Sequence, residues 1–156
     1  MIVRPSRIPR PALLLGLSGI LPFAFGALLA LSPQPEVREG TYPLIVPSDG
    51  IALMTSYGII ILSFMSGCLW GFAARGETHH WRNYGLSVLP ALYVFFFVGG
   101  SDAEQMMRLA FGFIAILALD ATYMRWRLAP HWWLTLRAII TTIVVLLFMI
   151  ASANLP

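Results

Sequence analysis

Lysine is absent from this 156-residue chain, cysteine occurs once, and charged residues make up only 11% of it. Each shortage excludes something. With 58% hydrophobic residues and a mean hydropathy of +0.78, too little polar surface remains for a soluble globule of this size, so the natural solvent is lipid. The formal charge of +3 and the pI near 9.5 are carried by arginines, most of them within a few residues of an apolar run, where they meet anionic head groups. Nucleic acid would need a contiguous basic face, and none is present. Cys68 cannot form an internal disulfide. No internal repeat is visible and no soluble domain is appended. No catalytic constellation can be found either, so neither an enzyme nor a resident cofactor is expected.

What is present is five long apolar runs. They predict an all-α polytopic membrane protein, a bundle of five transmembrane helices at about 12–31, 52–74, 84–99, 106–124 and 134–152, with an outer linker over 32–51. An odd number of spans cannot divide into two inverted halves, which counts against a self-contained secondary transporter. Arg4, Arg7, Arg10, Arg75, Arg82, Arg125 and Arg127 fall in the N-terminal tail and in alternate loops. Glu36, Glu39, Asp49, Asp102 and Glu104 fall in the loops between. Cytoplasmic loops keep basic residues, so this sorting puts the N-terminus inside and the C-terminus outside. A signal peptide is the competing reading of the first run, but the run is long and ends in Leu31-Ser32-Pro33 without a small-residue cleavage site. Prolines and glycines make the linker irregular, although Tyr42-Pro43-Leu44-Ile45-Val46 is apolar enough to fold back on the membrane. Pro90 should kink the third helix, and Arg108 is near enough to the outer end of the fourth to reach head groups.

Three groups of residues stand out. Asp120 lies in an apolar run about one turn before the inner boundary, and Arg137 lies about one turn into the next helix. A carboxylate at that depth needs a partner, so the two are expected to form a structural ion pair; a proton relay would need further polar stations, and none is visible. Ser63, Gly67 and Gly71 recur every four residues, a small-residue stripe that permits close helix packing and is expected to serve inside the bundle. Finally Trp81, Arg82, Arg125, Trp126, Arg127, His131, Trp132 and Trp133 gather in or beside the inside loops. The plain reading is an aromatic belt; the sharper one is a contact for a lipid head group or quinone, formed with His79 and His80. The histidine spacing supports no metal site.

Tyr57-Gly58, Ile61-Leu62-Ser63-Phe64, Gly67, Trp70-Gly71 and Arg82-Asn83-Tyr84-Gly85-Leu86-Ser87-Val88-Leu89-Pro90, followed by Asp120, Pro130-His131-Trp132, Leu136-Arg137 and Thr141, resemble the domain-of-unknown-function family 3429. These are small integral membrane proteins of proteobacteria with mitochondrial relatives. The resemblance covers nearly the whole chain and implies a multi-pass protein of a bacterial inner membrane, without an attached activity. The expected role is therefore a non-catalytic accessory or assembly subunit of a larger inner-membrane complex, respiratory or photosynthetic, with membrane lipids and other integral membrane subunits as partners. A small transporter, channel or lipid-handling protein using Asp120 is the alternative. A membrane enzyme with an inner-face His and Trp site comes third.

Overall fold

The computed structural model describes residues 7–33, 46–76 and 79–153, and among them all regular structure is α-helical. The helices are α1 (Arg10–Ser18), α2 (Leu21–Ala30), α3 (Pro47–Arg75), α4 (Trp81–Phe97), α5 (Asp102–Arg125) and α6 (Trp133–Ser152). Most of the outer linker, 34–45, lies outside the described residues, as do Arg4 and Glu77.

The first expected span is two helices rather than one. Pro22 has no N–H, and its ring crowds the carbonyl four residues back, so the ladder, whose last regular bond runs from the Gly19 N–H to the Leu15 carbonyl at 3.2 Å, fails at Ile20. The Ile20 N–H donates instead to the Leu17 carbonyl at 3.0 Å, a tighter turn. Taken together, Arg10–Ala30 remain long and apolar enough to cross a bilayer, as do α3, α5 and α6. The 17 residues of α4 rise about 26 Å, a little less than a hydrocarbon core of roughly 30 Å. The chain is thus a polytopic all-α membrane protein.

Local chemistry moves two helix starts earlier than the apolar runs suggest. Pro47 fits the first turn of α3, where no donor is needed, and the Asp49 carboxylate accepts from the Val46 N–H at 2.9 Å. In α5 the cap is reciprocal: Glu104 N–H donates to Ser101 Oγ at 3.4 Å and Ser101 N–H to Glu104 Oε2 at 3.0 Å. The preceding Gly100 turns at φ 96°, a conformation that favours glycine. Arg108, at the same end of the bundle, is half-exposed and also bonds within the chain. Its Nη1 donates to the carbonyls of Phe97 and Gly99 at 2.9 and 3.0 Å, closing the C-terminal end of α4.

The other end of α5 closes in a Schellman turn. Leu128 N–H donates to the Tyr123 carbonyl and Arg127 N–H to that of Met124, each at 2.9 Å, with Arg127 at φ 57°.

The core is organised by α3, which packs against α2, α4 and α5, while α5 also packs on α6. Phe23 of α2 sits edge-on to Phe113 of α5 and Phe148 of α6, with centroids 5.8 and 5.5 Å away. Close approach of α2 and α3 depends on Gly26 and Gly50: a Cβ on Gly26 would lie 2.8 Å from the Gly50 carbonyl, and one on Gly50 would lie 2.7 Å from the Ala30 nitrogen. Between α3 and α4 the contact combines ring packing, Trp70 edge-on to Tyr84 at 4.9 Å, with a buried polar contact. Pro90 disturbs the α4 ladder, and Ser66 of α3 inserts there, donating to the Ser87 carbonyl and accepting from Ala91 N–H at 3.4 Å.

Candidate functional site

The polar centre of the bundle is built by α5 and α6. Asp120 is the last buried acid of α5 before the Schellman turn, and that short turn returns the chain so that Trp133 and Arg137, one helical turn apart, both face it. The indole Nε1 of Trp133 donates to Asp120 Oδ1 at 2.7 Å, and Arg137 Nε donates to Oδ2 at 3.1 Å. The Asp120 side chain is fully buried and that of Arg137 is 5% exposed. Both carboxylate oxygens are therefore occupied, each by a directed N–H, and the two opposite charges meet out of water. Breaking one member alone would strand the other charge in a medium that cannot solvate it. Trp133 is itself held edge-on by Phe72 of α3, with ring centroids 5.0 Å apart, so three helices converge on one carboxylate.

Asp120 is thus removed from water, each of its oxygens held by one N–H. Arg137, in contrast, is left incompletely used. Its Nη2 is buried without a hydrogen-bond partner, as is the hydroxyl of Thr141 one turn further along α6.

Arg137 also forms part of the wall of a cavity of about 420 Å³ between α1, α3 and α6, walled otherwise by apolar and aromatic side chains. Gly16 of α1 and Gly19 just after it supply one side of it, Tyr57 and Cys68 of α3 another, and Trp132, just before α6, with Trp133 and Val144 of α6 the third. Sequence reading missed this cavity. The signal available was Gly16 and Gly19 facing an aromatic-rich stretch, which periodicity alone does not distinguish from ordinary packing.

The inside-loop aromatic and basic residues do not form one site. The Arg82 guanidinium lies 4.5 Å from the Trp126 ring centre, joining the start of α4 to the end of α5. Beside it the Tyr123 hydroxyl donates to the Asn83 carbonyl. Trp81 is 92% exposed, and His79 meets Tyr84, with Nδ1 2.9 Å from the phenol oxygen. His131 and Trp132 line a different hollow, with Arg75 and Arg127. Arg125 and His80 are exposed. The expected joint contact thus separates into an α4–α5 clasp, an exposed His79–Tyr84 corner and an Arg-lined hollow, because the turn after α5 carries His131 away from the start of α4. Among the described residues no three His, Cys, Asp or Glu side chains are grouped to hold a metal ion.

The small-residue stripe is a second correction. Ser63, Gly67 and Gly71 are exposed, and a Cβ added at Gly67 or Gly71 would meet nothing within 4 Å. The buried face of α3 is Leu62, Met65, Ser66, Leu69 and Ala73, on the opposite side of the helix. Internal close packing uses Gly26, Gly50 and Ser66 instead.

Fold and polar centre together define a small multi-pass α-helical membrane protein whose last two helices are locked by a buried charge pair. Residues 8–153 match the family described as "Protein of unknown function (DUF3429)", and the chain belongs to that family. It is 34% identical over 147 residues to Transmembrane protein 69 of Xenopus tropicalis, a match covering 88% of this chain and 51% of that protein. The chain therefore spans about half the length of that curated relative. No solved structure matches it.

Proposed function

We propose that this protein is a non-catalytic accessory or assembly subunit of a larger membrane complex, seated in a bacterial inner membrane with its N-terminus in the cytoplasm. The observation that carries this reading is the outward face of α3. Along it the small residues Ser56, Ser63, Gly67, Gly71 and Ala74 are exposed between the exposed side chains of Ile60, Phe64 and Trp70, on the helix that otherwise anchors the core. A partner helix laid over Gly67 and Gly71 gains close backbone approach there, with the flanking Phe64 and Trp70 side chains supplying dispersion contacts. The arginine sorting supplies the orientation, and a respiratory or photosynthetic assembly is the setting that the family resemblance suggests.

Purification from native membranes in mild detergent tests the reading, with the wild type run beside Gly67→Leu and Gly71→Leu. Expected is a stoichiometric set of larger membrane subunits with the wild type, released by either variant while the variant itself stays monodisperse. A wild type that purifies alone, or as a dimer of itself, overturns the proposal.

A further inference from the structure

We propose that the Arg-lined hollow at the end of the bundle, where α3 stops and α6 starts, binds the phosphodiester of an anionic phospholipid, with one acyl chain of that lipid in the apolar cavity between α1, α3 and α6. The site does not depend on a partner helix over Gly67 and Gly71, so the two proposals fail separately.

Charge selects the head group. The hollow is lined by Arg75, the last residue of α3, by Arg127 in the turn after α5, and by His131 with Trp132 just before α6. Arg82, Arg108 and Arg137 are each occupied, on the Trp126 ring, on the carbonyls that end α4 and on Asp120. The guanidiniums of Arg75 and Arg127, in contrast, have no hydrogen bond, ion pair or ring contact among the described residues, although the turn between α5 and α6 brings both to one concave surface. No described acid shares that surface. Asp120 is buried in its own pair, and Asp49, Asp102 and Glu104 lie at the starts of α3 and α5, the other end of the bundle. Two like charges in one concavity repel each other and attract anions. A phosphodiester has two unesterified oxygens, and the planar fork of arginine matches them.

Position selects the source. Both α3 and α6 are long and apolar enough to cross a bilayer, so a hollow at the end of one and the start of the other lies at the depth of lipid phosphates. Trp132 borders both this hollow and the apolar cavity. A charged site and a hydrocarbon-lined groove therefore meet at one side chain. From Trp132 the groove follows α6 to Val144, about 18 Å, close to the roughly 15 Å of half a hydrocarbon core. The groove is half-open along its length, so the second acyl chain stays in the bilayer. A soluble phosphate compound would use the hollow alone and leave the groove without a role. A zwitterionic lipid would bring its own cation to two unpaired arginines, an unfavourable juxtaposition that an anionic lipid avoids.

Native mass spectrometry tests the site. The purified full chain is exchanged in mild detergent against equal amounts of phosphatidylglycerol and phosphatidylcholine. Expected is one retained lipid per chain, phosphatidylglycerol about tenfold over phosphatidylcholine, the effect of charged hydrogen bonds reduced by water access. R75Q/R127Q should bring that ratio close to one. R10Q/R125Q removes the same charge from exposed residues outside the hollow and should keep it. None of these four side chains has a partner among the described residues, so both double variants should melt as the wild type does. Glu77→Gln removes the one acid close to Arg75 in sequence and should leave the preference at least as large. Glycerol phosphate, a head group without tails, should displace little of the lipid. Equal loss in both double variants would reduce the effect to diffuse surface charge, and displacement by glycerol phosphate would make the hollow a site for a soluble anion. Either result, no preference in the wild type, or a preference only in Glu77→Gln overturns the proposal.

Discussion

Trp133 and Arg137 grip opposite oxygens of the same Asp120 carboxylate, at 2.7 and 3.1 Å, with no part of the acid exposed. Asp120→Asn keeps the shape but leaves Arg137 charged and unpaired in a dry core, so each of Asp120→Asn and Arg137→Gln should cost about 3–5 kcal/mol. The double variant strands no charge and should cost much less than the sum of the two. Thermal unfolding in detergent, followed by helical circular dichroism, reads all three. Single variants within about 1 kcal/mol of wild type would show that water reaches the pair and screens it.

The contact between Ser66 and the disturbed ladder of α4 makes a second coupled test. Pro90 lacks a donor, and Ser66 occupies the gap between the Ser87 carbonyl and the Ala91 N–H. Ser66→Ala should destabilise by about 1–2 kcal/mol, because buried backbone groups lose their partner. In a Pro90→Ala background, where the helix can close its own ladder, the same substitution should cost little. An equal cost in both backgrounds would mean that Ser66 acts by packing alone.

Much of the fold was legible from the sequence, for reasons that differ by element. Apolar run length located the spans, because lipid demands about twenty apolar residues per crossing. Asp120 and Arg137 could be paired on paper, because depth is readable from the distance to a charged loop and a short turn makes neighbours antiparallel. Helix starts were less legible: α3 begins at Pro47 and α5 at Asp102 because of Asp49 and Glu104, polar residues that hydropathy discards. Which glycines meet was not legible at all. Gly67 and Gly71 have the more conspicuous spacing, yet Gly26 and Gly50, on different helices, are the ones in contact. Spacing describes one helix; a contact requires knowing how two are rotated. The cavity was hidden for the same reason, since Gly16, Cys68 and Arg137 share a wall only after three helices have docked.

That contrast between the glycines gives a direct measurement. Gly50→Ala places a methyl against the α2 backbone at Ala30 and should destabilise by about 1–3 kcal/mol, since backbone cannot yield as a side chain can. Gly67→Ala meets open space and should stabilise slightly, by up to about 1 kcal/mol, from helix propensity alone. Opposite signs in a thermal unfolding comparison are the expected outcome. Destabilisation by both would mean that α3 is rotated from the position described.

Arg127 occupies the left-handed corner of the turn after α5, at φ 57°, where the Schellman hydrogen bonds require that backbone geometry and where a β-carbon is crowded by the carbonyl that follows it. Glycine adopts the same conformation freely, so Arg127→Gly should relieve strain of about 1 kcal/mol and leave the α5–α6 connection unchanged. Part of that gain is returned because glycine also frees the unfolded chain. A rise in melting temperature of a few degrees is therefore the expected reading, equivalent to roughly 0.5–1 kcal/mol in a domain of this size. A fall instead would assign the Arg127 side chain a stabilising contact in the hollow that it lines with Arg75 and His131. Arg127→Ala separates the two causes: it removes the side chain but keeps the β-carbon, so if strain dominates it should remain near wild type while Arg127→Gly rises above it.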